Sequence, residues 1–293
     1  MFLEEGMLIR GKRAVLKSYA KINCTLDVKK KLENSYHNVS MIMQTIGLFD
    51  IVIVDRTHHG ISASSNLKYL PSNDKNIAVA AAKEFFLRTG IRGGAMIRLQ
   101  KNIPVAAGLA GGSSNAAAVL TALNTLYNAG LDIDELCDIA LKLGADVPYC
   151  LKGGLCLAEG IGEILTPLPA MPKMSVVVVK PPANISTALI YKKIDSEKIL
   201  NRPDNGAFIK AVESGDMKRI GENLCNVMES VTIGMCPEIN DIKKRFLEDG
   251  AVGALMSGSG PSVFGLFEDY NQAKKSADKF YIKYTDVFLC KTK

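Results

Sequence analysis

Residues 104–120 read PVAAGLAGGSSNAAAVL, and they decide how the rest of the chain is interpreted. Gly108, Gly111 and Gly112 stand directly before two serines and an alanine-rich run that is typical of a helix. The first turn of a helix carries N–H groups without internal partners, and the helix dipole adds about half a positive charge there. Glycine allows a bulky anion to come close to the backbone. The stretch therefore predicts a loop and a helix start that bind phosphate.

The common phosphate-binding patterns do not fit this stretch. No lysine follows Gly112, as a P-loop requires, and the dinucleotide and protein-kinase glycine patterns are also absent from the sequence. A purely structural alternative is a helix packed closely on a strand, with small residues for clearance.

Composition restricts the class of protein. The chain has 293 residues, 47% of them apolar and 23% charged, which suits one large or two ordinary globular domains. No apolar run reaches about 18 residues, so no membrane association is expected. The net charge of +6 is scattered and lacks basic blocks with interleaved aromatics. We therefore expect an acidic small molecule as the partner rather than nucleic acid.

The cysteines indicate a reducing compartment. Their number is odd and no CxxC pair occurs, which argues against a disulfide framework and a zinc site. We expect reduced thiols, buried as small apolar residues in a cytoplasmic protein. They are Cys24, Cys137, Cys150, Cys156, Cys225, Cys236 and Cys290.

The order of predicted elements is mixed, which favours an α+β fold over a doubly wound sheet. Strands are predicted over 8–28, 49–57 and 94–104, and helices over 76–90, from the glycine stretch to about Tyr127, and over 132–146.

Several boundaries of these elements have sequence signals. Asn76 or Asp74 is expected to cap the first helix, Gly90 to follow its end, and Gly144 to end the third helix in the left-handed conformation. The second helix is expected to bury one face. A proline-rich passage at 165–173 precedes an apolar strand and predicts a division into domains 1–164 and 165–293.

The glycine stretch resembles the second motif of the GHMP kinase superfamily, P-x-x-x-G-L-x-G-G-S-S. Residues 18–28, SYAKINCTLDV, are similar to the N-terminal motif of the superfamily, and residues 256–267, MSGSGPSVFGLF, to its C-terminal motif. The resemblance implies two α+β domains with the active site between them. The first would be like the second domain of ribosomal protein S5 and the second ferredoxin-like. It also implies ATP as phosphoryl donor, used with Mg²⁺.

A narrower resemblance rests on AKIN, SYHNVSMIMQTI (35–46) and LGADVPYCLKGG (143–154). These segments are similar to the branch that phosphorylates the 2-hydroxyl of a cytidine diphosphate-linked methylerythritol in non-mevalonate isoprenoid biosynthesis. On this resemblance Asp146 accepts the hydroxyl proton, Lys21 is the cation beside it, and Asn23 hydrogen-bonds the substrate. Because Val147 and Pro148 follow, the backbone of Asp146 is expected to be extended. The alternatives are a surface-loop aspartate and a lysine on the solvent face of an edge strand.

The same resemblance implies a pocket for the cytidine end of the substrate. Tyr36 and Tyr191 would sandwich the base and His37 would meet its edge, while Thr187 would bond the phosphate or sugar. Tyr191 has the alternative of a core or rim position.

On the nucleotide side, the resemblance implies a set of residues around the ATP phosphates. The set is Pro104, Gly108, Leu109, Ala110, Gly111, Gly112, Ser113 and Ser114. Lys101 and Asn76 would lie near the adenosine, with a surface lysine and a helix cap as alternatives. Ala110 stands where many members carry glycine, and no loss of activity is expected from it.

Two further features complete the implied site. Gly258, Ser259 and Gly260 would help to shape the acceptor pocket, with a tight turn as the alternative. The sequence reveals no dedicated Mg²⁺ ligand; Ser113 or Ser114 can supply one oxygen.

Two rival functions remain open at this point: another GHMP kinase acting on homoserine or mevalonate-type substrates, and a nucleotide-binding protein without catalysis. A monomer or weak homodimer is expected.

Overall fold

The computed structural model describes residues 3–4, 6–33, 36–197 and 199–293. The chain forms two compact units. The first comprises residues up to Ala20 together with Phe49–Val105 and Ala110–Gly153. The second comprises Lys21–Leu48, Ala106–Leu109 and the residues from Gly154 onward.

The strands of the described residues are β1 (Leu8–Arg10), β2 (Arg13–Lys31), β3 (His37–Thr57), β4 (Ile61–Ser65), β5 (Gly94–Gln100), β6 (Leu155–Glu159), β7 (Ile164–Pro167), β8 (Ser175–Lys180), β9 (Cys225–Asn226), β10 (Gly253–Met256), β11 (Val263–Phe267) and β12 (Asp286–Lys291). The helices are α1 (Ile77–Thr89), α2 (Gly111–Leu126), α3 (Ile133–Leu141), α4 (Asp146–Lys152), α5 (Thr187–Ile194), α6 (Asn205–Glu213), α7 (Met217–Glu222), α8 (Glu229–Met235), α9 (Glu238–Glu248) and α10 (Tyr270–Tyr281).

In the first unit, helices α1, α3 and α4 pack around the alanine-rich helix α2. Strand β5 pairs antiparallel with β3 and parallel with β4, and β1 pairs antiparallel with β2. The residues of α2 from Ser114 to Asn124 are all buried, so the expectation of a single buried face is wrong. Alanine allows neighbours to approach a helix from every side, and a helix that is apolar all round belongs in a core.

In the second unit, four strands form an antiparallel sheet in the order β10-β11-β8-β12. The principal elements follow the order β8, α9, β10, β11, α10, β12, with α9 and α10 packed against the sheet. This is the β-α-β-β-α-β arrangement of ferredoxin-like domains, with α5 to α8 inserted after β8. Elsewhere in the unit, β6 pairs with β3 and β7, and β9 pairs with β2. The α+β prediction is confirmed, and the boundary at residue 165 stays a prediction.

Local signals located the first helix well. Asn76, rather than Asp74, caps α1 by accepting a hydrogen bond of 3.0 Å from the N–H of Ala78. Gly90 follows the helix with φ of +66° in the left-handed region. Strand β3 begins at His37, twelve residues before the predicted start, and β5 ends at Gln100 rather than at Pro104.

The helix predicted over 132–146 is in fact two helices. Asp132 caps α3 in a capping box with Glu135, but α3 ends at Leu141. Gly144 is not among the described residues with positive φ. Asp146 begins α4, so the prediction of an extended backbone there is wrong. Pro148 is tolerated because it lies in the first helical turn, where its missing N–H would have no intrahelical partner.

None of the seven cysteines forms a disulfide, and Cys24, Cys150, Cys156 and Cys236 are buried. Burial raises the pKa of the Cys24 thiol to about 12. Among the helices of the described residues, none has the length and apolar character needed to cross a membrane.

Candidate active site

Lys21 lies within β2 and is only 4% exposed, so the solvent-face alternative is wrong. Its Nζ donates to Asn23 Oδ1 at 2.6 Å and to the carbonyl oxygen of Gly108 at 3.1 Å. A buried ammonium is costly unless hydrogen-bonded acceptors surround it. The second unit therefore holds a cation beside the first glycine of the stretch 104–120.

Ser257 joins this cluster from the C-terminal motif. Its hydroxyl accepts the N–H of Asn23 at 3.3 Å and donates to the Gly108 carbonyl at 3.0 Å. Gly108 has φ of +72°, and a Cβ at this position would collide with the carbonyl of Ser257. A Cβ on Gly258 would lie 3.1 Å from the Gly108 oxygen and 3.5 Å from Lys21 Nζ. Residues from all three motifs thus meet around Lys21.

Asn226 holds the C-terminal motif in place. Its Nδ2 donates to the carbonyls of Met256 and Gly258, both at 2.8 Å, and its Oδ1 accepts from the N–H of Met228 at 3.0 Å. Sequence reasoning missed Asn226 because it lies in β9, a strand of two residues in a stretch without a motif. It missed Ser257 although that residue stands within the MSGSG segment.

The structure brings together two pairs of residues predicted for the substrate pocket. Thr187 and Ser259 share a hydrogen bond of 2.8 Å between their hydroxyls. The rings of His37 and Tyr191 are stacked, with centroids 4.9 Å apart and an interplanar angle of 25°. Tyr36 is 58% exposed. Ser35, the first residue of the segment 35–46, lies outside the described residues, and the base sandwich stays a prediction.

The first unit contains the start of α2. Ala110 is its N-cap residue with φ of +56°, and within the described residues no side chain caps this N-terminus. Gly112 is exposed and Ser113 half-buried, so their N–H groups lie at an open helix start. Ser114 points inward: it is buried, and its hydroxyl bonds the Gly111 carbonyl at 3.2 Å. Ser113 is therefore the more available hydroxyl of the pair.

A buried polar network lies beneath this helix start. Lys101 is buried and forms an ion pair with Asp50, and its Nζ also donates to Asn115 Oδ1 at 2.9 Å. The surface-lysine alternative is therefore wrong. A Cβ on Gly111 would lie 3.2 Å from Lys101 Nζ and 2.9 Å from Ile103 Cγ2, so the network reaches the backbone of the first turn.

Asp50 is the hub of the network. It is fully buried, and its Oδ1 accepts the N–H groups of Asn102 at 2.7 Å and Ile103 at 2.8 Å. Asn115 Nδ2 donates to Asp50 Oδ2 at 2.9 Å and to Ser18 Oγ at 2.6 Å. Burial lowers the pKa of the Lys101 ammonium, and the Asp50 carboxylate opposes that shift. Asp50 has no sequence signal of its own, since it stands inside an apolar strand.

Three remaining predicted residues have defined places. Asn76 is a helix cap whose Nδ2 also donates to the Pro71 carbonyl at 2.8 Å, and the carbonyl of Leu109 accepts from the N–H of Lys21 at 3.2 Å. Asp146 is half-buried at the start of α4 in the first unit, whereas Lys21 belongs to the second. The roles of all three, and the pairing of Asp146 with Lys21, stay predictions.

Two models of one protein family match segments of this chain. Residues 76–154 match the model of the GHMP kinases N terminal domain, and residues 208–286 match the GHMP kinases C terminal model. The chain therefore belongs to the GHMP kinase family, as its three motifs indicated.

Individual members of the family resemble the chain over nearly its whole length. The chain is 46% identical over 276 residues to the 4-diphosphocytidyl-2-C-methyl-D-erythritol kinase of Clostridium novyi (strain NT), covering 94% of this chain and 99% of that protein. A solved structure of a 4-(cytidine 5'-diphospho)-2C-methyl-D-erythritol kinase is 32% identical with a TM-score of 0.81, covering 95% of this chain and 98% of the other. The mevalonate kinase of L. major, at 16% identity and a TM-score of 0.76 over 98% and 97% of the chains, shares the fold.

The ion pair beneath α2 generates a stability prediction. Asp50→Ala leaves the buried Lys101 ammonium uncompensated, so the free energy of unfolding should fall by about 3–5 kcal/mol. The double variant Asp50→Asn/Lys101→Met removes both charges and keeps an acceptor for the backbone N–H groups, so it should lose less. Urea denaturation measures both. Asp74→Ala, which breaks an exposed pair with Lys83, is the matched control and should change stability by less than about 1 kcal/mol.

Ala110 generates a second prediction. An alanine in the left-handed region carries about 1–2 kcal/mol of strain, and glycine adds about 0.4–1 kcal/mol of unfolded-state entropy. Ala110→Gly should therefore raise the free energy of unfolding by up to about 1 kcal/mol, measured by thermal denaturation. Ala107→Gly, at a buried alanine outside that region, should lower it. Equal losses in the two variants would contradict the strain at Ala110.

Proposed function

We propose that the chain transfers the γ-phosphoryl group of ATP to the 2-hydroxyl of 4-diphosphocytidyl-2-C-methyl-D-erythritol. The observation that carries the proposal is the buried Lys21 ammonium, bonded to Asn23 and Gly108 where the three motifs meet. The relative from Clostridium novyi, similar over nearly the whole chain, supports the choice of acceptor. The reaction would take place in the cytoplasm, as part of non-mevalonate isoprenoid biosynthesis.

ATP would bind through its phosphates to the N–H groups of Gly111, Gly112 and Ser113, where the helix dipole favours negative charge. The glycine stretch from Pro104 would wrap the triphosphate. Lys101 and Asn76 would support the adenosine side through the backbone that they hold.

Mg²⁺ would arrive with ATP, and the residues present are compatible with that arrangement. Within the described residues there is no group of three or more His, Cys, Asp or Glu that could hold a metal by itself. Mg²⁺ bound to a nucleotide keeps most of its waters and phosphate oxygens, so the hydroxyl of Ser113 suffices as a protein ligand. When bound, the ion neutralises charge on the phosphates.

Phosphoryl transfer needs mainly positioning and charge stabilisation, which two residues would supply. Asp146 would accept the proton of the acceptor hydroxyl as it attacks. Lys21 would stabilise the negative charge on the transferring group, since its position is already fixed by two hydrogen bonds. Asn23 would orient the acceptor.

The cytidine end would bind against the aromatic side chains of the second unit. The stacked pair of His37 and Tyr191 offers a polar ring edge and a π-face, and Tyr36 offers a second ring. The hydroxyl pair of Thr187 and Ser259 would bond the diphosphate or sugar. Gly258 and Gly260 would leave room beside it.

An ATP-consumption assay with alternative acceptors tests this function. The purified chain should turn over ATP with the cytidyl substrate and not with homoserine or mevalonate. Turnover with either of the latter alone would support a different GHMP kinase, and nucleotide binding without turnover would support a protein that has lost catalysis.

Replacing either charged residue tests the mechanism. Lys21→Ala and Asp146→Ala should each lower kcat by about 10²–10⁴-fold, the usual range for electrostatic and acid–base groups. The thermal midpoint should stay close to that of the unaltered chain for Asp146→Ala, because the side chain is half-buried at a helix start. Lys29→Ala and Asp138→Ala remove exposed charges from the same strand and a neighbouring helix, and serve as controls. A folded Asp146→Ala variant with kcat within tenfold of the original would overturn its assignment.

A further inference from the structure

Asp195 is bonded to His37 in a way that no motif predicted. The Nε2 atom of His37 lies 2.6 Å from Asp195 Oδ1, and Lys31 Nζ lies 3.0 Å from Asp195 Oδ2. His37 is buried, and one face of its ring is stacked on Tyr191. The ring is therefore held both by its edge and by its face.

The position of Asp195 is not explained by helix stability. It is the C-cap residue of α5, where the helix dipole disfavours a carboxylate and favours cations such as Lys192 and Lys193 in the last turn. The Asp195 side chain is 33% exposed, so packing does not demand it either. Its partners are His37 and Lys31, and their hydrogen bonds are what make the position favourable.

Those partners also favour the ionised form of Asp195. The hydrogen bond from His37, followed by that from Lys31, holds the pKa of the Asp195 carboxyl below its usual value. An ionised carboxylate only accepts hydrogen bonds, so the proton between the two side chains belongs to His37 Nε2. In a neutral imidazole the other nitrogen, Nδ1, is then an acceptor.

An imidazole nitrogen that accepts a hydrogen bond can distinguish two pyrimidines. Cytosine carries an exocyclic amino group that donates, whereas uracil carries a carbonyl oxygen at the same position. A buried acceptor facing a carbonyl would leave both groups without a donor, which costs more than losing one hydrogen bond.

We propose that Asp195 is a positioning residue that fixes the tautomer of His37, so that Nδ1 accepts from the amino group of the substrate base and selects cytosine over uracil. The identity of the base rests on the proposed function; the control of the His37 tautomer does not.

Nuclear magnetic resonance of the full chain tests the tautomer without substrate. The sequence has three histidines, and His58 and His59 are exposed, so ¹⁵N-histidine labelling gives few signals. The double variant His58→Gln/His59→Gln assigns them. His37 should be protonated at Nε2 and unprotonated at Nδ1. Asp195→Ala should convert this state to a mixture, and Glu197→Ala, which removes an exposed carboxylate two residues away, should leave it unchanged. A proton on Nδ1 in the unaltered chain, or no change in Asp195→Ala, would overturn the proposal.

Steady-state kinetics with the cytidyl substrate and its uridyl analogue tests the selection. The Asp195→Ala change should raise KM for the cytidyl substrate about tenfold or more, with kcat and KM for ATP little changed. The ratio of kcat/KM between the two substrates should fall by a similar factor. His37→Ala should lose the same preference, and Asp195→Ala should cause no further loss in its presence, because both act through one hydrogen bond.

The controls separate this proposal from the proposed function. Glu197→Ala should keep the full preference, and Asp195→Asn, which preserves size but can also donate, replaces Asp195→Ala if the latter does not fold. A full cytidyl preference in the folded Asp195 variant would overturn the role of Asp195 alone. Turnover of neither pyrimidine substrate by the unaltered chain would overturn the proposed function and the base selection together, while the histidine spectra would still decide the tautomer.

Discussion

The hydrogen bond from the buried Lys21 ammonium to the Gly108 carbonyl is the interaction on which the site depends. A charge of this kind is retained in a protein interior only where acceptors replace its water, and here they include one amide oxygen and one backbone carbonyl. The backbone at residue 108 can approach because glycine has no side chain to collide with Ser257. Besides the phosphate binding that its motif suggests, Gly108 thus has a structural role: its carbonyl accepts a hydrogen bond from the Lys21 ammonium.

Two buried lysines, Lys21 in the second unit and Lys101 in the first, are held by different means. The Lys21 ammonium donates to two neutral acceptors, Asn23 Oδ1 and the carbonyl of Gly108. Lys101 is paired with Asp50 in a fully buried network, so its charge is largely compensated within the first unit. The helix dipole at the start of α2, unlike the Lys101 charge, has no side-chain cap among the described residues.

The sequence predicted the fold class, the alanine-rich helix and the family motifs. Prediction succeeded where a chemical pattern is local, as at the Asn76 cap and at Gly90 after the first helix. It failed at Asp146, because the restriction before a proline applies to Val147 and not to Asp146, and a proline is tolerated in the first turn of a helix. Asp50, Asn226 and Asp195 were missed because each acts through a partner far away in the sequence, and no local pattern marks such a residue.

The division of the chain has a consequence for its synthesis on the ribosome. The first unit ends at Gly153, so all of its residues have been made when about half of the chain has emerged. The second unit draws on residues 21–48 and 106–109 as well as on everything after Gly153. Some partners of those early segments, such as Ser257, are synthesised much later. Until then, the apolar strand residues within 21–48 lack these partners and can contact other chains and chaperones.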